Sequence, residues 1–221
     1  AAILLVTSVF ALSLPRLEIR TDGDALYPVG NRVIDASLRD REIFRDPEQV
    51  VLLATVRPGE PTLFTPAALL DLERLVSVIE RVPGVLGGEI VSLPTARDVT
   101  VSPSEIRLAS YLSLPPRTQG EADALRRRLA REEVAEGILY SRDGRSAAVY
   151  APLSGEAARG EVLRRLREAL AHDVASSFDV RIIGPAAAEV LLGEQIVADL
   201  ERLVPVIIAV IALALFACLR N

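Results

Sequence analysis

The chain of 221 residues is acidic, with 25 basic against 30 acidic side chains, a net charge of −5 and a pI near 5.1. That balance supplies no excess of cations for a phosphate backbone and excludes nucleic acid as a partner. Half of the residues are apolar (50%) while only 4% are aromatic, and one cysteine (Cys218) with one histidine (His172) leaves no disulfide framework and no zinc pattern.

The first stretch, Ala1 to Leu14, carries no charge and is broken by Pro15 and Arg16. It is shorter than the roughly 17 to 25 residues that a helix needs to cross a bilayer. Its length suits a signal-peptide core, and Ala11-Leu12-Ser13 resembles a small-residue cleavage site. No basic residue precedes it and the chain contains no methionine, so residues 1–14 read as the C-terminal part of a first transmembrane helix in a fragment cut from a longer protein. Residues 15–48 form a connector. Within it Asp22-Gly23-Asp24 spells a turn rather than a calcium loop, because Leu26 takes the place of the next oxygen ligand. Asn31 to Asp46 sets Val33, Ile34, Leu38 and Ile43 among charges, which predicts a short amphipathic helix.

Residues 49–184 read as one domain. Gln49 to Val56 (QVVLLATV) is an apolar run of strand length, suited to the centre of a sheet. Pro58-Gly59-Glu60-Pro61 turns the chain, Thr65 caps a helix and Pro66 takes its first position, where the missing N–H costs nothing. Leu69, Leu72, Leu75, Val76, Ile79 and Val82 form the buried stripe, and Asp71, Glu73, Arg74, Ser77, Glu80 and Arg81 the solvent face. Pro83-Gly84 stops that helix, and Val85 to Leu93 returns as a strand with a bulge at Gly87-Gly88. A second unit repeats the pattern. Ser146 to Leu153 is a strand entered from Gly137–Ser141 through the Asp143-Gly144 turn. The helix over 156–172 then buries Val162, Leu163, Leu166, Ala169 and Leu170, and Phe178 to Ile183 closes the sheet. Two strand–helix–strand units predict an α+β fold, a ferredoxin-like split βαβ sandwich with its helices on one face of the sheet.

Residues 94–136 are an inserted helical segment. Arg126, Arg127, Arg128 and Arg131 stand there beside Glu132, Glu133 and Glu136, with Leu125, Leu129 and Val134 at helical spacing. Mixed signs three and four residues apart describe a solvated helix held by ion pairs rather than a headgroup or nucleic-acid patch.

Residues 185–203, opened by Gly184-Pro185, form a helix leading to the membrane. It continues into a second transmembrane helix over 204–219, VPVIIAVIALALFACL, with at most a kink at Pro205. Arg220 follows at once, and basic residues near a span end favour the cytoplasmic side. That places the main domain outside the cytoplasm.

Catalytic chemistry is scarce. His172, with Asp173 and Ser176 nearby, lacks a nucleophile elbow and reads as a surface histidine at a helix end, where a cation suits the dipole. Gly84, Gly87 and Gly88 precede a strand rather than a helix, so they form no phosphate loop. The expectation is no enzyme, with no catalytic, cofactor-binding or metal-binding residue and with the substrate-binding residues unassigned.

These pieces, in this order, resemble the RND superfamily of membrane transporters, closest to its MMPL-like and hopanoid-exporter-like members. The resemblance covers essentially the whole chain. It is carried by the apolar run, Asp-x-Asp, QVVLLATV, LFTPAALLDLERLVSVIERVPGVLGGEIVSLPT, YSRDGRSAAVYAPL and the long C-terminal stretch from IIGPAAAEVLLGEQ to FACLRN. Val82-Pro83-Gly84-Val85 followed by Ser92-Leu93-Pro94-Thr95 is most specific, with Gly184 leading through Asp199-Leu200 to Arg220-Asn221, where the family's usual pair is Arg-Ser. The resemblance implies a proton-driven exporter of the inner (plasma) membrane, multi-pass, of which this chain is the first extracytoplasmic (periplasmic) loop with its flanking helices. The family's proton relay lies in a later span, and neither apolar run here holds an ionisable residue. The implied role is a porter domain handling a lipid or other hydrophobic substrate. Its implied partners are membrane lipids, the hydrophobic substrate and the remainder of the transporter chain, with a homo-oligomer left open. Two other classes stay open: a singly anchored extracytoplasmic binding or sensor module, and a protein-translocation accessory subunit of the same superfamily.

Overall fold

The computed structural model describes residues 31–44, 47–102, 105–112, 114–132, 135–155, 159–172 and 177–219. Ala1–Leu14, the Asp22-Gly23-Asp24 turn and Arg220-Asn221 lie outside them. The elements are α1 (Arg32–Phe44), β1 (Gln49–Val56), α2 (Pro66–Glu80), β2 (Val91–Ser92), β3 (Arg97–Ser102), β4 (Glu105–Ser110), α3 (Gln119–Leu129), β5 (Ser146–Pro152), α4 (Arg159–His172), β6 (Phe178–Ile183) and α5 (Pro185–Leu219). The architecture is α+β. Ala36–Ala188 is one compact unit, and the chain from Glu189 onward belongs to a second.

In the first unit four strands make one antiparallel sheet in the order β2-β5-β1-β6. The strands expected at 49–56, 146–153 and 178–183 all join it. β1 is central, as its apolar run predicts, pairing Leu52 with Val149 on one side and with Ile182 on the other. Strand alternation then sorts its residues. Val50, Leu52, Ala54 and Val56 are buried, while Val51, Leu53 and Thr55 on the opposite face are half-buried. On β5, Ala147, Val149 and Ala151 continue the buried face.

Leu69, Leu72, Leu75 and Ile79 of α2 and Val162, Leu163 and Leu166 of α4 are fully buried, and the two helices pack on one another. Each such side chain contributes about 1.5 to 3 kcal/mol by leaving water. The start of α2 is built as its sequence dictates: Thr65 is extended, its Oγ1 accepts from the Ala68 N–H at 3.2 Å, and Pro66 opens the first turn. At the start of α4, Arg159 pairs with Glu48 and ties the helix to the residue before β1.

Several expectations are corrected. Asp71, assigned to the solvent face of α2, is only 7% exposed. Its Oδ2 accepts from the Ser177 N–H at 3.1 Å and the Ser177 hydroxyl at 2.6 Å, clipping α2 to the residue that precedes β6. The strand expected over 85–93 shrinks to Val91–Ser92 with one isolated bridge between Val85 and Leu153. Gly87–Glu89 is a short 3-10 turn rather than a bulge. A Cβ on Gly87 would meet the Glu80 carbonyl oxygen at 3.0 Å, so the glycine lets this turn lie against the end of α2.

The inserted segment is not purely helical: β3 and β4 form a separate two-stranded hairpin, in register from Arg97 opposite Ser110 to Ser102 opposite Glu105. The charged helix also lies further upstream than its residues suggested. It begins at Gln119 behind a capping box, in which Thr118 accepts from the Glu121 N–H and Glu121 reaches back to the cap, and it ends at Leu129.

Gly184 links β6 to α5 with φ at +103°, a conformation that side chains with a Cβ rarely adopt. α5 is helical without interruption for 35 residues, with Pro205 inside it. At about 1.5 Å per residue it is roughly 52 Å long. Its apolar portion shows no buried residue, and it is long and apolar enough to cross a membrane.

Candidate functional site

A concavity with a recognisable chemistry lies inside the first unit. It is a groove of about 910 Å³ between the first turns of α2, the stretch after β4 and one face of α3. That volume sits toward the upper end of small-ligand sites, about 300 to 1,000 Å³. Pro66, Ala67 and Leu70 form one wall, Leu114, Pro115 and Pro116 the opposite wall, and Ala124 and Leu125 line it from α3. Arg117, Arg128, Glu121 and Tyr111 supply its polar groups.

Local sequence explains why the groove stays open. Pro115-Pro116 fixes two φ angles and lacks two amide donors, and this wall stays outside helix and sheet. Leu114 is left 83% exposed and Leu70 37%. The wall is anchored at its base. The Ser110 hydroxyl donates to the Pro94 carbonyl, the Tyr111 N–H donates to the Ala96 carbonyl at 3.1 Å, and Leu112 is buried.

The opposite side is anchored too. Gln119 Nε2 donates to the Phe64 carbonyl at 3.0 Å, joining the start of α3 to the residue before the Thr65 cap. Phe64 meets Tyr140 edge to face with centroids 5.3 Å apart, and the Arg126 guanidinium lies over the Phe64 ring at 5.6 Å. Burial, with Glu136 adding to it and Arg126 opposing it, pushes the Tyr140 phenol above its ordinary 10.0.

The charges of the groove are unequal in availability. Glu121 Oε2 accepts from the Arg117 N–H at 2.7 Å and the Thr118 N–H at 3.4 Å, so this carboxylate is spent on the helix cap. The Arg117 guanidinium meets no carboxylate among the described residues. Arg128 stacks on the Tyr111 ring at 5.4 Å and donates from Nη2 to the Tyr111 carbonyl at 3.3 Å, which fixes a positive charge in the wall.

The charged helix is shorter than its residues suggested. Because α3 ends at Leu129, Glu132 and Glu136 fall beyond it and cannot serve as partners one turn away on the same helix. Arg126 and Arg128 instead lie over aromatic rings, and Glu136 pairs with Arg142 at 3.1 Å. The spacing Thr118-x-x-Glu121 and the residues Leu114-Pro115-Pro116 were the sequence signals for this corner.

His172 closes α4, while Asp173 and Ser176 lie outside the described residues. Cys218 is exposed on α5. Among the described residues no cluster of three or more His, Cys, Asp or Glu is placed to hold a metal ion. Compared with known proteins, the chain matches no family model and no curated sequence.

Proposed function

We propose that the chain is the extracytoplasmic substrate-handling, or porter, portion of a proton-driven RND-type exporter of lipids or other hydrophobic molecules. The observation that carries this reading is the passage from the last sheet strand, through Gly184, into a single helix that becomes uncharged from Leu203 to Leu219. The strand order β2-β5-β1-β6 supports a ferredoxin-like split βαβ fold, since β1 and β2 are separated by β5, and β5 and β6 by β1. The groove beside α3 is the substrate-handling surface in this reading, and α5 joins the domain to the bilayer. Residues 1–14 would supply an earlier span, making the whole protein multi-pass in the inner membrane with the sheet domain in the periplasm.

A singly anchored extracytoplasmic binding module is the second reading, favoured by α5 being the one candidate span among the described residues. An export experiment separates the two. Cells lacking the gene should retain a hydrophobic molecule in the inner membrane and release it again when the wild-type gene returns. A copy with a short glycine-rich insert after Leu200 should fold and insert but fail to restore release. An unchanged profile of exported lipids in the deletion strain would sink the exporter reading.

A further inference from the structure

The two edges of the main sheet are unequal. At one edge β2 is only two residues long, whereas β6 at the other offers six residues in unbroken register with β1 and holds no proline. A long regular edge is a template for a further strand unless something blunts it. One bond fixes which backbone groups face outward. The Arg57 N–H donates to the Ser177 carbonyl at 3.0 Å, so the main chains of Ser177, Asp179, Arg181 and Ile183 turn toward β1 while those of Phe178, Val180 and Ile182 turn to the open edge. The Phe178 carbonyl accepts from Arg57 Nε at 3.2 Å and keeps a second lone pair. Side chains alternate with the same period. Phe178 is buried and Val180 and Ile182 half-buried on the face shared with Leu52, whereas Asp179 and Arg181 stand on the other face and pair with each other at 3.1 Å.

We infer that β6 pairs with β6 of a second copy of the chain, antiparallel and about a two-fold axis at Val180, joining two four-stranded sheets into one. In that register Val180 meets its own counterpart, Phe178 meets Ile182, and Asp179 of each copy faces Arg181 of the other. The outward main-chain groups then supply about six hydrogen bonds, two for each facing pair. Residues 179 and 181 fall at the other kind of position, where opposing Cα atoms are only about 4.5 Å apart and side chains are closest. The charges select the partner. An edge blunted with one sign repels its own copy, but an aspartate and an arginine two residues apart match theirs under a two-fold axis. Val180 and Ile182 gain apolar cover in the same step. Two copies inserted the same way in one bilayer meet this symmetry when the axis runs along the membrane normal. The inference stands on the sheet edge and needs no transport role.

The test uses the full chain in native membranes, with Val180→Cys in a Cys218→Ser background. Cα atoms that face each other in a hydrogen-bonded pair are about 5.5 Å apart, within disulfide range, so oxidation by copper phenanthroline should give a cross-linked dimer. Arg142→Cys in the same background should not cross-link. Adding Asp179→Arg, or Arg181→Asp, gives β6 charges of one sign and should lower cross-linking at position 180 about tenfold with circular dichroism unchanged. Co-expressing those two chains should restore it, as should one chain carrying both reversals. That rescue separates pairing between copies from any effect within a strand, because each singly reversed chain keeps like charges on its own β6. Absence of the 180–180 cross-link overturns the inference, as does a cross-link indifferent to these charges, failure of the mixed chains to restore it, or an edge occupied by a different protein.

Discussion

α2 and the second half of α5 are both helices rich in leucine, isoleucine and valine, yet they solve opposite problems. In α2 the apolar residues fall on one stripe, and Leu69, Leu72, Leu75 and Ile79 are fully buried. From Leu203 onward α5 is apolar on every side, and Ile208, Val210, Leu213 and Phe216 stand 61%, 61%, 73% and 64% exposed. A stripe can be satisfied by one sheet. An all-round apolar surface can be satisfied only by surroundings that are apolar on every side, such as a bilayer.

The largest test of that contrast removes the same side chain from each helix. Leu72→Ala should destabilise the sheet domain by about 2 to 5 kcal/mol through lost burial and a cavity. Leu213→Ala should leave the domain's unfolding midpoint unchanged. Denaturation of both variants in nanodiscs checks this, and equal losses would erase the distinction between the helices.

Asp71 sharpens the comparison at a polar position. Because its carboxylate takes the Ser177 amide and hydroxyl in a nearly buried place, Asp71→Ala should cost about 1 to 3 kcal/mol. Glu73→Ala, one turn face away, should cost far less in the same denaturation series. At the start of α3, Thr118→Ala removes one side of the capping box and should cost about 1 kcal/mol, with local hydrogen exchange rising at residues 119–122.

Tyr140 gives a smaller effect with a defined pH direction. Its folded-state pKa is raised, so the unfolded chain loses that proton first as pH rises. The stability this group contributes is therefore fully present below pH of about 10 and is lost as pH rises through the raised folded value. Tyr140→Phe should flatten the alkaline decline measured by denaturation at stepped pH.

Much of the frame was legible in the residues. Thr65-Pro66 announced the start of α2, the period of its leucines announced the buried stripe, and Gly184-Pro185 marked the change from strand to helix. Asp71 was misread because a periodicity argument places a polar residue by its own chemistry, whereas its partner, Ser177, lies far along the chain. The hairpin β3–β4 was missed although Val99, Val101, Ile106 and Leu108 alternate around Pro103-Ser104, because the charge-rich stretch downstream dominated the reading of the whole segment. The groove depends on how α2, the proline stretch and α3 converge in space, and no local pattern encodes that meeting. Only its parts, the double proline and the capping box, are visible in the sequence.

The central claim is that α5 carries the sheet domain across a bilayer boundary, and paired cysteine labelling addresses it most directly. In full-length protein within intact cells, Arg142→Cys in a Cys218→Ser background places a thiol at an exposed loop position of the sheet domain, whereas native Cys218 lies near the far end of α5. The account predicts that an impermeant maleimide modifies the cysteine at position 142 in intact cells and reaches Cys218 only after the membrane is dissolved. Modification of Cys218 in intact cells with position 142 silent until lysis would reverse the topology, and equal modification of both would show that α5 does not cross.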